Sequence, residues 1–140
     1  YGKIDITLTE TTGTSYKIIP GTDITKNPKV TVKGGSEACW LFVKVDKVGT
    51  FVEGKVTYAV ANDWTALPGV DGVYYREVAG VTADTDFNVL EGNKITVSED
   101  LTKAEVDAIT ADEISLTFTA YAVQKAGIDS AADAWAKANA

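Results

Sequence analysis

The strongest constraint on this chain is an alternation of apolar and polar residues with a period of two. It is clearest in residues 113–124, where Ile114, Leu116 and Phe118 alternate with serine and threonine. Successive side chains of a β-strand point to opposite faces, so this alternation predicts a half-buried strand. Further strands are predicted from alternation or β-rich composition at residues 3–10, 29–33, 38–47, 55–60, 73–78 and 94–97.

The segment 38–47 differs from the others because it starts apolar on both faces. Cys39 and Leu41 alternate with Trp40 and Phe42, and neither pair is charged. A strand of this kind lies in the centre of a sheet or is covered by a loop.

Turn-forming residues separate the predicted strands, as at Gly34-Gly35 and Asp71-Gly72. About seven or eight short strands divided in this way are typical of a β-sandwich or barrel. We therefore expect an all-β chain that forms one domain over residues 1–140.

Two segments break the period of two and predict short helices near residues 101–110 and 130–138. The candidate capping residues are Thr102 with Glu105 for the first helix and Asp129 or Ser130 for the second. The second helix is shorter than the roughly 12–15 residues at which an isolated helix becomes marginally stable. It must dock on the sandwich, join a partner or fray.

The composition excludes several kinds of chemistry. The chain has no histidine, one cysteine and a formal net charge of −7. Histidine-based catalytic arrangements, histidine-ligated zinc and an internal disulfide are therefore impossible, and we expect the chain not to be an enzyme. An acidic surface repels nucleic acid and anionic lipid. No apolar run approaches the roughly 18 residues of a membrane span, so we expect neither nucleic-acid binding nor membrane insertion.

One cation site is a candidate, although we expect no other cofactor. Asp84, Asp86 and Asn88 place oxygen ligands at alternate positions, as a calcium loop does. The twelfth position of such a loop is Ile95 rather than glutamate, so the bidentate ligand is missing. The alternative is a polar loop between strands.

Aromatic residues and the single cysteine give two further candidates. Trp64, Tyr74 and Tyr75 lie around a Leu-Pro-Gly turn, where flat rings could stack on a sugar. The alternative is that these rings belong to the core or to cross-strand pairs. For Cys39 the alternatives are burial as a small apolar residue and exposure with a disulfide between subunits.

Five segments of the chain carry a family resemblance. The first three combine an amphipathic strand, a Pro-Gly turn and a long aromatic strand, and they read GKIDITLTE, IIPGTDITKNPKVTVKGG and SEACWLFVKV. The other two read WTALPGVDGVYYREV and LTFTAYAVQKAGIDSAADAWAKA. Together they resemble the camelysin/TasA-like family of secreted Gram-positive proteins, which a dedicated signal peptidase processes. The resemblance covers nearly the whole chain.

The resemblance implies a jelly-roll-like antiparallel β-sandwich that is exported to the cell surface or extracellular matrix of a Gram-positive bacterium. It also implies assembly into biofilm fibres in which a strand of one subunit completes a sheet of the next. The candidate assembly strand carries Ile4, Ile6 and Leu8; alternatively, this strand pairs within its own domain. The family usually has a short stretch before this strand. Since the given chain starts at that strand, we expect either that the stretch was trimmed or not resolved, or that this chain does not assemble through it.

The function expected from these observations is that of a structural protein, a matrix or fibre subunit that self-associates into filaments. The alternative is a cell-surface adhesin or carbohydrate-binding module. Some camelysin relatives are labelled metallopeptidases, but this chain lacks the HExxH motif and its histidines. We therefore expect no zinc protease activity.

Overall fold

The computed structural model of the chain describes residues 3–10, 18–49, 51–52, 54–112 and 114–138. The described residues form ten strands: β1 Ile6–Thr9, β2 Asp23–Thr25, β3 Lys29–Val32, β4 Cys39–Val48, β5 Val56–Thr57, β6 Thr65–Ala66, β7 Val73–Val78, β8 Thr85–Asn88, β9 Lys94–Val97 and β10 Ser115–Gln124. They also form two α-helices, α1 Lys103–Asp112 and α2 Ala131–Ala138.

The strands associate in three sheets, and every pairing is antiparallel. The sheet orders are β1-β3-β8, β10-β4-β7-β6 and β2-β9-β5. One apolar cluster contains residues from all three sheets, including Val30 of β3, Leu41 of β4 and Ile95 of β9. The predicted all-β sandwich with two short helices is confirmed.

Strand β4 lies between β10 and β7 and is buried on both faces. Cys39, Leu41 and Val43 point into the cluster shared by the sheets. Trp40 and Phe42 point the other way, into a second cluster that includes residues of α2. The predicted central position is therefore confirmed, and the outer face is covered by a helix as well as by the loop before β7.

Both helices begin at side-chain caps. The Thr102 N–H donates to Glu105 Oε1 at 2.9 Å, and the Glu105 N–H donates to Thr102 Oγ1 at 3.2 Å, which completes the predicted capping box. Glu105 also pairs with Lys55 Nζ at 2.9 Å, which ties α1 to the segment before β5. At α2 the Asp133 N–H donates to Ser130 Oγ at 3.2 Å, so Ser130 is the capping residue.

One buried charge was not expected from the sequence. The Lys26 side chain is fully buried, its ammonium group pairs with the Glu10 carboxylate, and it lies 5.7 Å from the centre of the Phe118 ring. A buried ammonium without a counter-charge is strongly unfavourable. The pair therefore ties the end of β1 to the segment after β2.

Candidate functional site

The three candidate calcium ligands lie along one strand. Asp86 and Asn88 belong to β8, and Asp84 immediately precedes it. Alternate residues of a strand face the same way but lie about 7 Å apart, whereas calcium needs oxygens within about 2.6 Å of the ion. The alternative, a polar loop, does not describe this segment either, because Thr85–Asn88 form a strand. Among the described residues, no group of three or more acidic or thiol side chains lies close enough together to hold a metal ion.

Hydrogen bonds to strand β3 and the turn after it occupy both carboxylates. Asp84 accepts from the Gly34 N–H at 2.8 Å and from Lys33 Nζ at 3.4 Å. Asp86 accepts from the Thr31 hydroxyl at 2.7 Å. The hydrogen bond from the Gly34 N–H is the main cause that lowers the pKa of Asp84 below its ordinary value. The hydrogen bond from the Thr31 hydroxyl has the same effect on the pKa of Asp86. These contacts give the carboxylates a role in strand pairing.

The structure separates the three candidate sugar-binding aromatics. Tyr74 and Tyr75 are neighbours in β7, so their side chains point to opposite faces of the sheet. Tyr74 packs with Trp64 on the inner cluster. Tyr75 packs on the outer cluster, 6.1 Å from the ring of Trp40. Only Trp64 and Tyr74 therefore share one side of the sheet.

Trp64 is held in one orientation by its neighbours. Its indole N–H donates to the Asn88 carbonyl oxygen at 2.9 Å. The Arg76 guanidinium lies 5.5 Å from the centre of the Trp64 ring and 4.0 Å from that of Phe87. Burial lowers the pKa of Arg76, and nearby Asp63 partly opposes this effect. Trp64 retains only 6% of its accessible surface, so it forms a fixed wall.

A cleft of about 680 Å³ lies on the Tyr74 side of this wall. Its lining combines four aromatic rings, an amide and an ammonium group, supplied by Lys47, Phe51, Tyr58, Asn62, Trp64 and Tyr74. Sequence reasoning did not single out Phe51 or Tyr58. The only local signal was that residue 58 fell inside the predicted strand 55–60, of which only Val56–Thr57 is a strand.

The candidate assembly strand is paired within the same chain. In β1, Ile6 lies opposite Val32 and Leu8 lies opposite Val30 of β3. Ile4, Ile6 and Leu8 are partly buried and pack against the inner cluster. Donation of this strand to another subunit would require its exchange out of the described fold.

Strand β10 is the longest edge strand in the part of the chain that the structure describes. It pairs with β4 over ten residues and is the terminal strand of its sheet. Strand β1 lies alongside it but belongs to another sheet. The sequence of β10, SLTFTAYAVQ, contains no charge, no proline and no glycine. These are the residues that usually protect a strand edge from further pairing.

Cys39 is buried in the core face of β4. Its side chain has no accessible surface, and burial raises the pKa of its thiol to about 11. Of the two alternatives for Cys39, the structure shows burial. A disulfide between subunits at this position would require the core to open.

Comparison of the chain with protein-family models, with curated proteins and with solved structures gave no match. Among the described residues, no helix combines the length and the apolar character needed to cross a membrane.

Proposed function

We propose that this chain is a non-catalytic structural protein, a fibre or matrix subunit that assembles through strand-to-strand contacts. The observation that carries the proposal is the outer edge of β10. Its ten residues lie at the end of a sheet, every second residue directs its backbone N–H and C=O groups outward, and none of the ten is charged. An edge of this kind pairs readily with a strand from another molecule.

The other edges are less suited to strand addition. In the four-stranded sheet, the opposite edge is β6, which has two residues. Strand β8 carries Asp86, and β2 carries Asp23, so each places a carboxylate on its edge strand. Strands β1 and β5 are uncharged edge strands but have only four and two residues. Charge and short length are the usual ways in which proteins prevent edge pairing. This contrast favours β10 as the acceptor edge.

The extracellular part of the proposal comes from the resemblance to the camelysin/TasA-like family. That resemblance favours export from a Gram-positive cell and assembly in a biofilm matrix. The partner proposed for this assembly is a second copy of the chain. Nucleic acid and membrane are not proposed as partners, because the chain is acidic and has no long apolar run.

Electron microscopy and sedimentation of the purified chain test the proposal. We expect filaments or oligomers of the native chain and their loss in the double variant Thr117→Lys/Thr119→Lys, since both exposed residues lie on β10. The matched control is Thr57→Lys/Thr65→Lys, which adds the same charge at exposed positions of β5 and β6. Monomers of the native chain under every condition would refute assembly.

A second experiment distinguishes acceptance at β10 from exchange of β1. Leu8→Cys and Val30→Cys place two thiols at directly opposite positions of β1 and β3. Paired residues in antiparallel strands have Cα atoms about 4.5–5.5 Å apart, within the range that a disulfide spans. If the oxidised variant still assembles, β1 is not exchanged. Loss of assembly that reduction restores would instead assign the assembly strand to Ile4, Ile6 and Leu8.

A further inference from the structure

We propose that the cleft bounded by Phe51, Tyr58, Trp64 and Tyr74 binds the pyranose ring of a glycan. This function is separate from assembly, and it concerns residues at a different place from the β10 edge. The cleft has a volume of about 680 Å³, within the range of about 300–1,000 Å³ found for small-molecule sites.

The chemistry of the lining matches that of a sugar ring. A pyranose has an apolar C–H face and a rim of hydroxyl groups. Phe51, Tyr58 and Tyr74 are half-buried, so parts of their rings remain accessible in the cleft. Asn62 and the two phenol groups add hydrogen-bond donors and acceptors beside those rings. Apolar faces flanked by polar groups favour a sugar over a purely aliphatic ligand.

Tyr58 and Tyr74 both line the cleft and are close enough to interact electrostatically. Burial raises the pKa of Tyr58, and the neighbouring Tyr74 raises it further. The Tyr58 hydroxyl therefore keeps its proton at neutral pH, and a protonated phenol can donate and accept hydrogen bonds at once. Sugar hydroxyl groups have the same dual capacity.

The back wall of the cleft is already ordered. Trp64 is fixed by its hydrogen bond to the Asn88 carbonyl and by the Arg76 guanidinium near its ring. A ligand that enters the cleft therefore does not have to order this side chain, and ordering of side chains is one of the main costs of binding.

The positive charge of Lys47 indicates which classes of sugar the cleft can bind. Lys47 is the one charged residue among the described residues that line the cleft, and its ammonium group lies 5.7 Å from the centre of the Phe51 ring. An ammonium group there repels cationic ligands such as amino sugars. It is compatible with neutral sugars and attracts the carboxylate of a uronic acid.

A glycan array of neutral and uronic-acid oligosaccharides, followed by calorimetry on any sugar that binds, tests this inference with the full chain. We expect binding that Tyr58→Ala weakens about fivefold to tenfold. Tyr74→Phe keeps the ring but removes the hydroxyl, and we expect a loss of about threefold to tenfold. The matched control is Tyr75→Phe, which removes a hydroxyl from the opposite face of the same strand and should leave affinity unchanged.

Lys47→Gln separates the two classes of sugar. If the sugar that binds the native chain is a uronic-acid oligosaccharide, we expect Lys47→Gln to weaken its binding. If that sugar is neutral, we expect its affinity for the variant to be unchanged. The inference is overturned if no pyranose on the array binds. It is also overturned if Tyr75→Phe weakens binding as much as Tyr74→Phe, because the sugar would then lie outside this cleft. Tyr74→Phe retains the packed ring, so the test does not depend on the stability of Tyr58→Ala.

Discussion

The two faces of β4 are both buried, but different parts of the chain bury them. Cys39, Leu41 and Val43 lie in a core that sheets from distant segments build together. Trp40 and Phe42 on the other face are covered by α2, which has eight residues, and by the loop before β7. Strand β4 thus belongs to two apolar clusters, one formed between sheets and the other formed with a short helix.

This difference indicates that the outer face of β4 can be exposed by local unfolding while the core face stays buried. A helix of eight residues is too short to be stable alone, so α2 depends on its contacts with the sheet. Trp135 supplies two of them, with ring centres 5.3 Å from Phe42 and 5.2 Å from Tyr121. The Trp40 indole N–H adds a hydrogen bond to the Ile128 carbonyl at 3.1 Å. We therefore expect the outer face to be uncovered in local openings that leave the core intact.

The largest effect is expected on the core face. Leu41→Ala removes a fully buried side chain, and we expect the free energy of unfolding to fall by about 2–5 kcal/mol. Chemical denaturation should show this loss equally with every spectroscopic probe. Val48→Ala is the control in the same strand, because Val48 is 54% exposed. A loss in the Val48 variant equal to that in Leu41→Ala would contradict the comparison.

A smaller and more local effect is expected on the outer face. Trp135→Ala removes the ring that contacts both Phe42 and Tyr121. We expect the free energy of unfolding to fall by about 1–3 kcal/mol, since this tryptophan is only half-buried. Hydrogen exchange should speed up in α2 while the amides shared by β4 and β10 stay protected. Simultaneous loss of protection in α2 and β4 would show that the two faces open as one unit.

The Ser130 cap of α2 should contribute less to stability than Trp135 does. Ser130→Ala removes the acceptor of the Asp133 N–H, and we expect α2 to lose about 1 kcal/mol of stability. Asp129→Ala is the matched control, since Asp129 is the neighbouring residue that the sequence also offered as a cap. Hydrogen exchange of the α2 amides measures both variants, and a larger effect at Asp129 would reassign the cap.

The thiol on the core face should not respond when only the outer face opens. Cys39 is buried and its pKa is raised to about 11, so a thiol reagent at pH 8 should react only when the core opens. We expect the same labelling rate in Trp135→Ala as in the native chain, and a faster rate in Leu41→Ala. Faster labelling in the Trp135 variant would mean that α2 guards the core as well as the outer face.

The long strands could be predicted because their patterns are long. Residues 113–124 and 38–47 repeat the alternation over many positions, and the observed strands are Ser115–Gln124 and Cys39–Val48. Strands β2 and β6 have three and two residues. So few positions carry no measurable period, and these strands are defined by their hydrogen bonds to other strands, β9 for β2 and β7 for β6.

The candidate sites show a related limit. Oxygen ligands at alternate positions 84, 86 and 88 fit both a calcium loop and one face of a strand. The choice is decided by Thr31 and Lys33, which lie more than 50 residues away in sequence. The cleft likewise joins rings from separate segments, so no local pattern could reveal it. The separation of Tyr74 from Tyr75, in contrast, follows from the period of two.

The ten-residue pairing of β10 with β4 also has a mechanical consequence. Its register runs from Ser115 opposite Val48 to Gln124 opposite Cys39. Hydrogen bonds between antiparallel strands run perpendicular to the strand axis, so tension along β10 loads all of them in shear at the same time. Tension applied across the strand would break them one after another. Resistance to a pull is set by the rate of unfolding rather than by its equilibrium, and this joint is strongest when the load runs parallel to its strands.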